Sequence, residues 1–297
     1  MSNAFVIIHF GNNIKYLELE IYFAINLRDM TKHDIIYMYS INDTPKSFVR
    51  IMKKYVTKTI PYDDTNIIYN IKEIPYRGFN ALRTCNYIFA YTLHDYEKIC
   101  IIESDIIIKA NIDSIFDLNV PAAIYYESNP FTNEKIIPKI LGKGSLLNGG
   151  VLVIHPSIKL FNKSIQNIPK ILDYEYPNEA LFALTNKSNF YTLPFRYNGV
   201  SSIVDKSKQV HKILQKYKFT LKNIDCFHFS GNIYKYLDYI RDGFYNKYPN
   251  KLILTYFLNF FKQKYYDKYN VEITKVLQSV NNVNNNSKIN SKINVMI

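Results

Sequence analysis

The sequence of 297 residues predicts an α/β fold, with a mostly parallel, Rossmann-like sheet flanked by helices in a single domain with C-terminal helices. Continuous apolar runs of strand length alternate with segments whose apolar residues have helical spacing. This alternation is typical of parallel strands joined by right-handed crossovers. The hydrophobic fraction of 47% and the aromatic fraction of 15% exclude a mainly disordered chain.

The first element is the apolar run at 4–10. The turn residues Gly11-Asn12-Asn13 close it, as expected for a buried parallel strand. Helical spacing of apolar residues then predicts a helix over 14–28. Further strands are predicted at 34–40, 56–60, 98–102, 121–126, 149–155 and 224–229. Further helical segments are predicted at 46–55, 80–96, 111–116, 177–185 and 251–279.

The domain boundaries follow from these elements and from composition. Residues 1–250 are expected to form the main domain, and residues 251–279 are expected to form a helical extension. Residues 280–297 are rich in Asn, Ser and Lys without periodicity, so we expect a disordered tail there.

The chain is basic, with 37 Lys and Arg residues against 25 Asp and Glu residues and a formal net charge of +12. Such a charge favours polyanionic partners such as nucleic acid, phosphates or an anionic membrane surface. The joint abundance of Lys, Asn, Ile and Tyr is also what an AT-rich genome produces. The charge alone therefore does not select a partner.

The three cysteines, Cys85, Cys100 and Cys226, are widely spaced and form no metal-ligand pattern. Each lies in or beside an apolar segment, so we expect buried free thiols in a reducing compartment. The N-terminal residues resemble no signal peptide, and no apolar run approaches the roughly 20 residues that span a bilayer. We therefore expect a cytoplasmic protein without a membrane span.

The strongest chemical signal is a pair of carboxylates directly after the strand at 98–102. Glu103 and Asp105 are two residues apart, so an extended backbone places both side chains on one face. Ligands bind at this carboxyl end of the strands in open α/β sheets, and two oxygen donors suit Mg²⁺ or Mn²⁺. A solvated strand exit with one helix-capping carboxylate explains the same pattern.

Four other segments carry weaker signals, and each has an ordinary structural explanation when taken alone. His228 ends a predicted strand, and two glycines at 149–150 allow close backbone approach before another strand. The segments at 177–182 and 193–198 read as a helix start and a loop.

Taken in order, these segments resemble the glycogenin-like retaining glycosyltransferases of family 8, which have the GT-A fold. The family's Asp-x-Asp motif and the Asn-Ile-Asp-x-Leu-Phe stretch after it resemble Glu103-Ser104-Asp105 and residues 111–116. Four further family motifs resemble, in order, Asn148-Gly149-Gly150-Val151, Asn178-Glu179-Ala180-Leu181, residues 193–198 and His228-Phe229-Ser230-Gly231. The resemblance covers roughly residues 4–245.

The resemblance implies a hexosyltransferase that moves a sugar, expected to be glucose, from a UDP-sugar to a hydroxyl of a glycan or protein. Anomeric configuration would be retained. It implies a Mn²⁺ or Mg²⁺ ion held by Glu103, Asp105 and His228, and it implies a homodimer. The nucleotide-sugar-binding residues it implies are His9, Phe10, Gly11, Tyr16, Arg83, Ser104, Asn148, Gly149, Gly231 and Lys235. The catalytic residues it implies are Glu179, Asn178 and Arg83.

The sequence departs from the family pattern in two of these motifs. Glu103 replaces the first aspartate of the metal motif, and Asn178-Glu179 replaces Asp-Gln. A catalytically impaired sugar-nucleotide binder is therefore one alternative. A basic nucleic-acid-binding protein, suggested by the charge and the 27 tyrosines, is another. No helix interleaves basic and aromatic residues as such binders do, so we expect no nucleic-acid partner.

Overall fold

A large central sheet organises the chain. The computed structural model describes residues 2–69, 82–141, 144–200, 215–229 and 252–293, with the single residues 212, 237, 240 and 241. The described strands are β1 (Ser2–His9), β2 (Asp34–Ser40), β3 (Lys58–Tyr62), β4 (Tyr96–Ile102), β5 (Ile106–Ile108), β6 (Ala122–Tyr125), β7 (Lys135–Ile136), β8 (Ile140–Leu141), β9 (Gly144–Ser145), β10 (Leu147–Ile154), β11 (Phe190–Thr192), β12 (Gly199–Val200) and β13 (Cys226–His228).

The α-helices lie between and after these strands. They are α1 (Ile14–Met30), α2 (Lys46–Met52), α3 (Ile158–Asn167), α4 (Pro177–Asn186), α5 (Leu252–Phe261) and α6 (Asp267–Ile293). Tighter 3-10 helices occupy Thr84–Thr92, Asp113–Asp117, Ile168–Lys170, Phe195–Tyr197 and Leu221–Asn223, and wider π-helical turns occupy Thr65–Tyr69 and Lys262–Tyr266.

The central sheet has the strand order β3–β2–β1–β4–β10–β6–β11–β7. Strand β1 pairs in parallel with both β2 and β4, whereas β10 runs antiparallel to its neighbours β4 and β6. The order of the first four strands is that of a doubly wound nucleotide-binding sheet. The predicted α/β class with a mostly parallel sheet is confirmed, with β10 and the edge strand β7 as antiparallel exceptions.

Both faces of this sheet are buried, which explains why its strands read as continuous apolar runs. Along β1, Phe5 and Ile7 enter one apolar cluster while Ala4 and Val6 enter the cluster on the opposite face. This alternation is the two-residue period of an extended strand.

A second, three-stranded sheet has the order β12–β13–β5. Strand β5 is antiparallel to β13, with Ile106 opposite His228 and Ile108 opposite Cys226. Because β5 begins just after β4 ends, this small sheet joins the large one at the carboxyl end of β4. Cys226 and the other two cysteines are buried free thiols, as predicted.

Several element boundaries differ from the predictions. The segment predicted as a helix over 80–96 forms a 3-10 helix at Thr84–Thr92, and β4 already begins at Tyr96; residues 80–81 lie outside the described part of the chain. Strand β3 lies two residues later than predicted, because its register against β2 pairs Ile36 with Lys58. Pro61 is tolerated since β3 is an edge strand.

The C-terminal helices pack against the rest of the chain through aromatic rings. Phe257 stacks on Phe227 of β13 with ring centroids 4.7 Å apart, and Tyr266 stacks on Tyr22 of α1 at 5.7 Å. Helix α6 continues to Ile293, whereas a disordered tail was predicted from residue 280. Helix propagation costs little once earlier turns are anchored.

No described helix combines the length and the hydropathy needed to cross a membrane.

Replacement of Phe257 tests how strongly the C-terminal helices stabilise the fold. Phe257 is fully buried, so Phe257→Ala is expected to lower the free energy of unfolding by about 3–5 kcal/mol. Val271 of α6 is 63% exposed, so Val271→Ala is the matched control, with an expected change within about 0.5 kcal/mol. Denaturant unfolding measures both, and equal effects would contradict the packing described here.

Candidate functional site

The junction of the two sheets brings three distant side chains together. Glu103 and Asp105 lie in the short turn between β4 and β5, and His228 ends β13. The backbone N–H of Phe229 donates to the Asp105 carbonyl oxygen at 3.0 Å, and the Glu103 N–H donates to the Gly150 carbonyl oxygen at 2.9 Å. Backbone pairing therefore fixes where the two carboxylates and the imidazole lie.

The three side chains form a compact group of metal-ligand type. The Nε2 atom of His228 lies 3.3 Å from Glu103 Oε2 and 3.3 Å from Asp105 Oδ1. All three potential ligand atoms lie within 4.8 Å of one another. Asp105 and His228 are buried, whereas the Glu103 side chain is 44% exposed.

Two atoms of this group are buried without a hydrogen bond. Asp105 Oδ1 and His228 Nε2 lie 3.3 Å apart, but within the described part of the chain neither makes a hydrogen bond of good geometry. An unsatisfied buried polar group costs about 1–3 kcal/mol, and a divalent cation between these atoms would satisfy both. Mixed oxygen and nitrogen donors fit Mn²⁺ better than Mg²⁺. The residues therefore fit a divalent cation.

The pKa of His228 shows the charge state of this group when no cation is bound. Burial alone would lower its pKa, but Asp105 and then Glu103 outweigh burial and raise the pKa to about 10. A proton is thus held between the carboxylates at neutral pH. Cation binding must displace this proton, so it is expected to tighten as pH rises.

Two glycines make room for the neighbouring side chains. A Cβ atom on Gly150 would lie 2.3 Å from Cε1 of His228, and one on Gly149 would lie 2.6 Å from Nδ2 of Asn178. The imidazole therefore lies directly against the backbone of β10. Any other residue at position 150 forces the ring or the strand to move.

The buried carboxyl of Glu179 lies beside this group. Its Oε1 accepts a hydrogen bond from the Gly149 N–H at 3.3 Å. Burial, with a smaller contribution from the charge of Glu103, raises its pKa to about 8 despite that hydrogen bond. The Glu179 carboxyl is therefore largely protonated at neutral pH and can donate a hydrogen bond.

A cavity of about 550 Å³ opens beside the carboxylates at the carboxyl ends of β1 and β4. It is lined by ten of the residues named in the sequence analysis: His9, Phe10, Gly11, Tyr16, Arg83, Glu103, Ser104, Asp105, Gly149 and Asn178. Asn148, Glu179 and His228 are buried and do not line it. Gly231 and Lys235 lie outside the described residues.

The Arg83 guanidinium is already hydrogen-bonded to carboxylates of the protein. Its guanidinium makes two hydrogen bonds to the Asp43 carboxylate, donates to Asp64 Oδ2 at 3.3 Å and lies over the Phe10 ring at 4.6 Å. Asp43 Oδ1 also accepts from the Gly11 N–H at 2.9 Å. Burial alone would raise the Asp43 pKa, but the hydrogen bonds from Arg83 and Gly11 lower it. Arg83 thus ties the loop after β1 to the ends of β2 and β3.

His9 is also committed to partners within the protein. Its Nδ1 lies 2.8 Å from Glu20 Oε1, its Nε2 lies 3.0 Å from the Gly11 carbonyl oxygen, and the Tyr37 hydroxyl donates to Glu20 Oε2 at 3.1 Å. Burial lowers the His9 pKa, but the Glu20 carboxylate outweighs burial, so the pKa is raised. Sequence reasoning missed Glu20, Asp43 and Asp64, because their partners are distant along the chain.

Comparison with known proteins places the fold. No family model matches the sequence. Uncharacterized protein R707 of Acanthamoeba polyphaga mimivirus is 27% identical over 239 residues, which cover 78% of this chain and 81% of that protein.

Two solved structures of glycosyltransferases are similar to this chain in fold. The galactosyltransferase LgtC, in complex with donor and acceptor sugar analogs, has a TM-score of 0.55 and 12% identity, covering 77% of this chain and 87% of its own. The glycosyltransferase GlyE of Streptococcus pneumoniae TIGR4 has a TM-score of 0.51 and 18% identity, covering 77% of this chain and 54% of its own. At these identities the likeness establishes the fold, and it agrees with the predicted GT-A type.

Gly150 tests the close approach of the imidazole. Gly150→Ala is expected to weaken Mn²⁺ binding by at least about 10-fold, since the new Cβ overlaps the His228 ring and displaces a ligand. Isothermal titration calorimetry with Mn²⁺ measures the affinity, and circular dichroism verifies the fold. An unchanged affinity in a folded variant would refute this arrangement.

The His9–Glu20 pair predicts a pH-dependent stability. Because the folded-state pKa of His9 lies above the reference value of 6.5, its stabilisation is fully present below pH 6.5. It is lost as pH rises through the folded-state pKa. The double variant His9→Gln/Glu20→Gln removes both titrating groups. Denaturant unfolding is therefore expected to show a stability difference from the natural protein that decreases with rising pH; a difference that grows would contradict the pairing.

Proposed function

We propose that the protein is a glycosyltransferase that moves a hexose from a UDP-sugar to a hydroxyl of a glycan or protein. The observation that carries this proposal is the convergence of Glu103, Asp105 and His228 beside the cavity, where two buried polar atoms have no hydrogen-bond partner among the described residues. The cavity volume of about 550 Å³ lies within the range of small-molecule sites.

The chemistry needs positive charge where the leaving diphosphate becomes more negative. A bound divalent cation acts as a Lewis acid that offsets this charge. Glu103, Asp105 and His228 would hold it, with Mn²⁺ favoured over Mg²⁺ by the imidazole. Ser104 lines the cavity between the two carboxylates and is proposed to contact the donor.

The nucleoside is proposed to lie against the loop after β1. Phe10 offers an aromatic ring whose neighbour is the Arg83 guanidinium at 4.6 Å. Gly11 has φ +90° and open space where a Cβ would lie, a conformation that favours glycine. Tyr16 also lines this part of the cavity. Arg83 and His9 would shape the loop rather than contact the phosphates with free charge.

The sugar is proposed to lie at Gly149 and Asn178, with Glu179 buried behind them. A carboxylate nucleophile, as used by many retaining hydrolases, must be ionised. The pKa of about 8 for Glu179, caused mainly by burial, instead supports a protonated carboxyl that orients its neighbours. A same-face displacement with retention, which needs no covalent enzyme intermediate, is proposed from the family resemblance.

The remaining parts of the proposal concern partners and location. No helix in the sequence interleaves basic and aromatic residues as nucleic-acid-binding proteins do, so no nucleic-acid partner is proposed. A single main domain over 1–250, a homodimer and a cytoplasmic location are proposed from the resemblance and the sequence.

Replacement of Asp105 tests the proposed function. Asp105→Ala is expected to abolish the stabilisation by Mn²⁺ plus UDP in thermal unfolding, and to lower donor-dependent UDP release by at least about 100-fold. The matched control is Asp117→Ala, an exposed aspartate outside the cavity lining, which is expected to behave like the natural protein. Near-normal UDP release by folded Asp105→Ala would refute the site.

A donor screen separates the proposed enzyme from its alternatives. UDP-sugars incubated with Mn²⁺ and hydroxyl acceptors are expected to give a product one hexose heavier by mass spectrometry, with UDP-glucose the preferred donor. Binding of UDP without turnover for any donor would indicate an impaired binder. A thermal shift with DNA or RNA but none with UDP would indicate a nucleic-acid-binding protein.

A further inference from the structure

We propose that Asn148 and Asn198 form a hydrogen-bond relay that fixes the tautomer of His228, with the Nε2 lone pair facing Glu103 and Asp105. This inference rests on the cation site of the proposed function. It assigns positioning roles to two asparagines.

The relay consists of three consecutive buried contacts. The Gly150 N–H donates to Asn148 Oδ1 at 3.1 Å, and Asn198 Nδ2 donates to the same oxygen at 2.7 Å. Asn198 Oδ1 then lies 3.0 Å from Nδ1 of His228. Asn148 is 5% exposed, Asn198 is 0% exposed and His228 is 2% exposed, so water does not compete for these contacts.

The direction of the relay follows from its first member. A backbone N–H can only donate, so Asn148 must present its oxygen to Gly150. The same oxygen faces Asn198, which must therefore present its NH₂ group there and its oxygen to the imidazole. An amide oxygen can only accept, so the proton must be on Nδ1 of His228.

This assignment decides what His228 offers the cation site. With the proton on Nδ1, the neutral imidazole presents an unprotonated Nε2 toward the two carboxylates, as a metal ligand requires. Without the relay, the neutral ring could carry its proton on Nε2 and donate it to Asp105 Oδ1, which would block the ligand atom. The relay therefore makes Nε2 the nitrogen that loses its proton when a cation binds.

The relay also gives Asn148 a role that the sequence did not predict. The family resemblance implied contact with the donor sugar, but its side-chain oxygen is shared between Gly150 and Asn198. The two asparagines and His228 lie on or beside β10, β12 and β13. The relay thus connects the two sheets. It contacts the ring at Nδ1, whereas Nε2 faces the carboxylates.

The test measures Mn²⁺ affinity of the full chain by isothermal titration calorimetry, without nucleotide or sugar. Asn198→Ala and Asn148→Leu are each expected to weaken binding by about 10- to 100-fold. Asn148→Asp is expected to bind within about threefold of the natural protein or more tightly, because both relay partners of that oxygen are donors. The matched control is Asn186→Ala, which removes a buried asparagine that hydrogen-bonds Tyr91 and Phe182 instead. It is expected to leave Mn²⁺ affinity unchanged.

The tautomer is measured directly in the natural protein loaded with diamagnetic Mg²⁺. Long-range ¹H–¹⁵N correlation spectra are expected to show the His228 proton on Nδ1. A proton on Nε2, an Asn198→Ala affinity within twofold of the natural protein, or equal losses in Asn148→Asp and Asn148→Leu would each overturn the relay. Because ligation through Nε2 by itself leaves the proton on Nδ1, the same spectrum is also recorded without metal. The relay requires a proton on Nδ1 there too, since Asn198 Oδ1 can only accept, and a metal-free Nδ1 without a proton would overturn it even if a variant fails to fold. Absence of sugar transfer with the relay results intact would count against the proposed function alone.

Discussion

The pairing of β13 with β5 is the constraint on which the candidate site depends. It places His228 opposite Ile106 and therefore beside Asp105, at the point where β4 has just ended. Neither carboxylate could reach the imidazole if this register shifted by one residue, because successive side chains of a strand point to opposite faces. The positions of the site residues therefore depend more on strand register than on loop conformation.

The distribution of buried charge divides the cavity into two ends. At the loop after β1, the charged side chains face opposite charges: Arg83 with Asp43 and Asp64, and His9 with Glu20. At the end of β4, Glu103 and Asp105 face one basic side chain of the described residues, His228. Each end therefore has one carboxylate more than it has basic side chains. The two ends differ in hydrogen bonding, because Glu20 and Asp43 accept hydrogen bonds, whereas Asp105 Oδ1 and His228 Nε2 have no hydrogen-bond partner among the described residues. This difference distinguishes a structural end from a cation-binding end.

Local patterns in the sequence predicted the features that depend on neighbouring residues. The apolar runs predicted most strands of the central sheet, and the spacing of Glu103 and Asp105 predicted two carboxylates on one face. His228 was a weak signal alone, since its importance depends on the register of β13. Asn198 belongs to the segment 193–198 that resembles a family motif, but its contact with His228 gave no local signal, and neither did the carboxylate Glu20, because their partners are distant along the chain. Strand β5 was missed because its three isoleucines are too few to show a period.

The origin of the three ligand-type side chains has a consequence for folding. Glu103 and Asp105 belong to the middle of the chain, whereas His228 follows the long segment that contains β6 to β12. A cation that binds only this assembled group draws the equilibrium toward the folded state in proportion to its concentration over its dissociation constant. Binding of the ion would then stabilise the docked arrangement of the two sheets. It requires that the later strands have already docked.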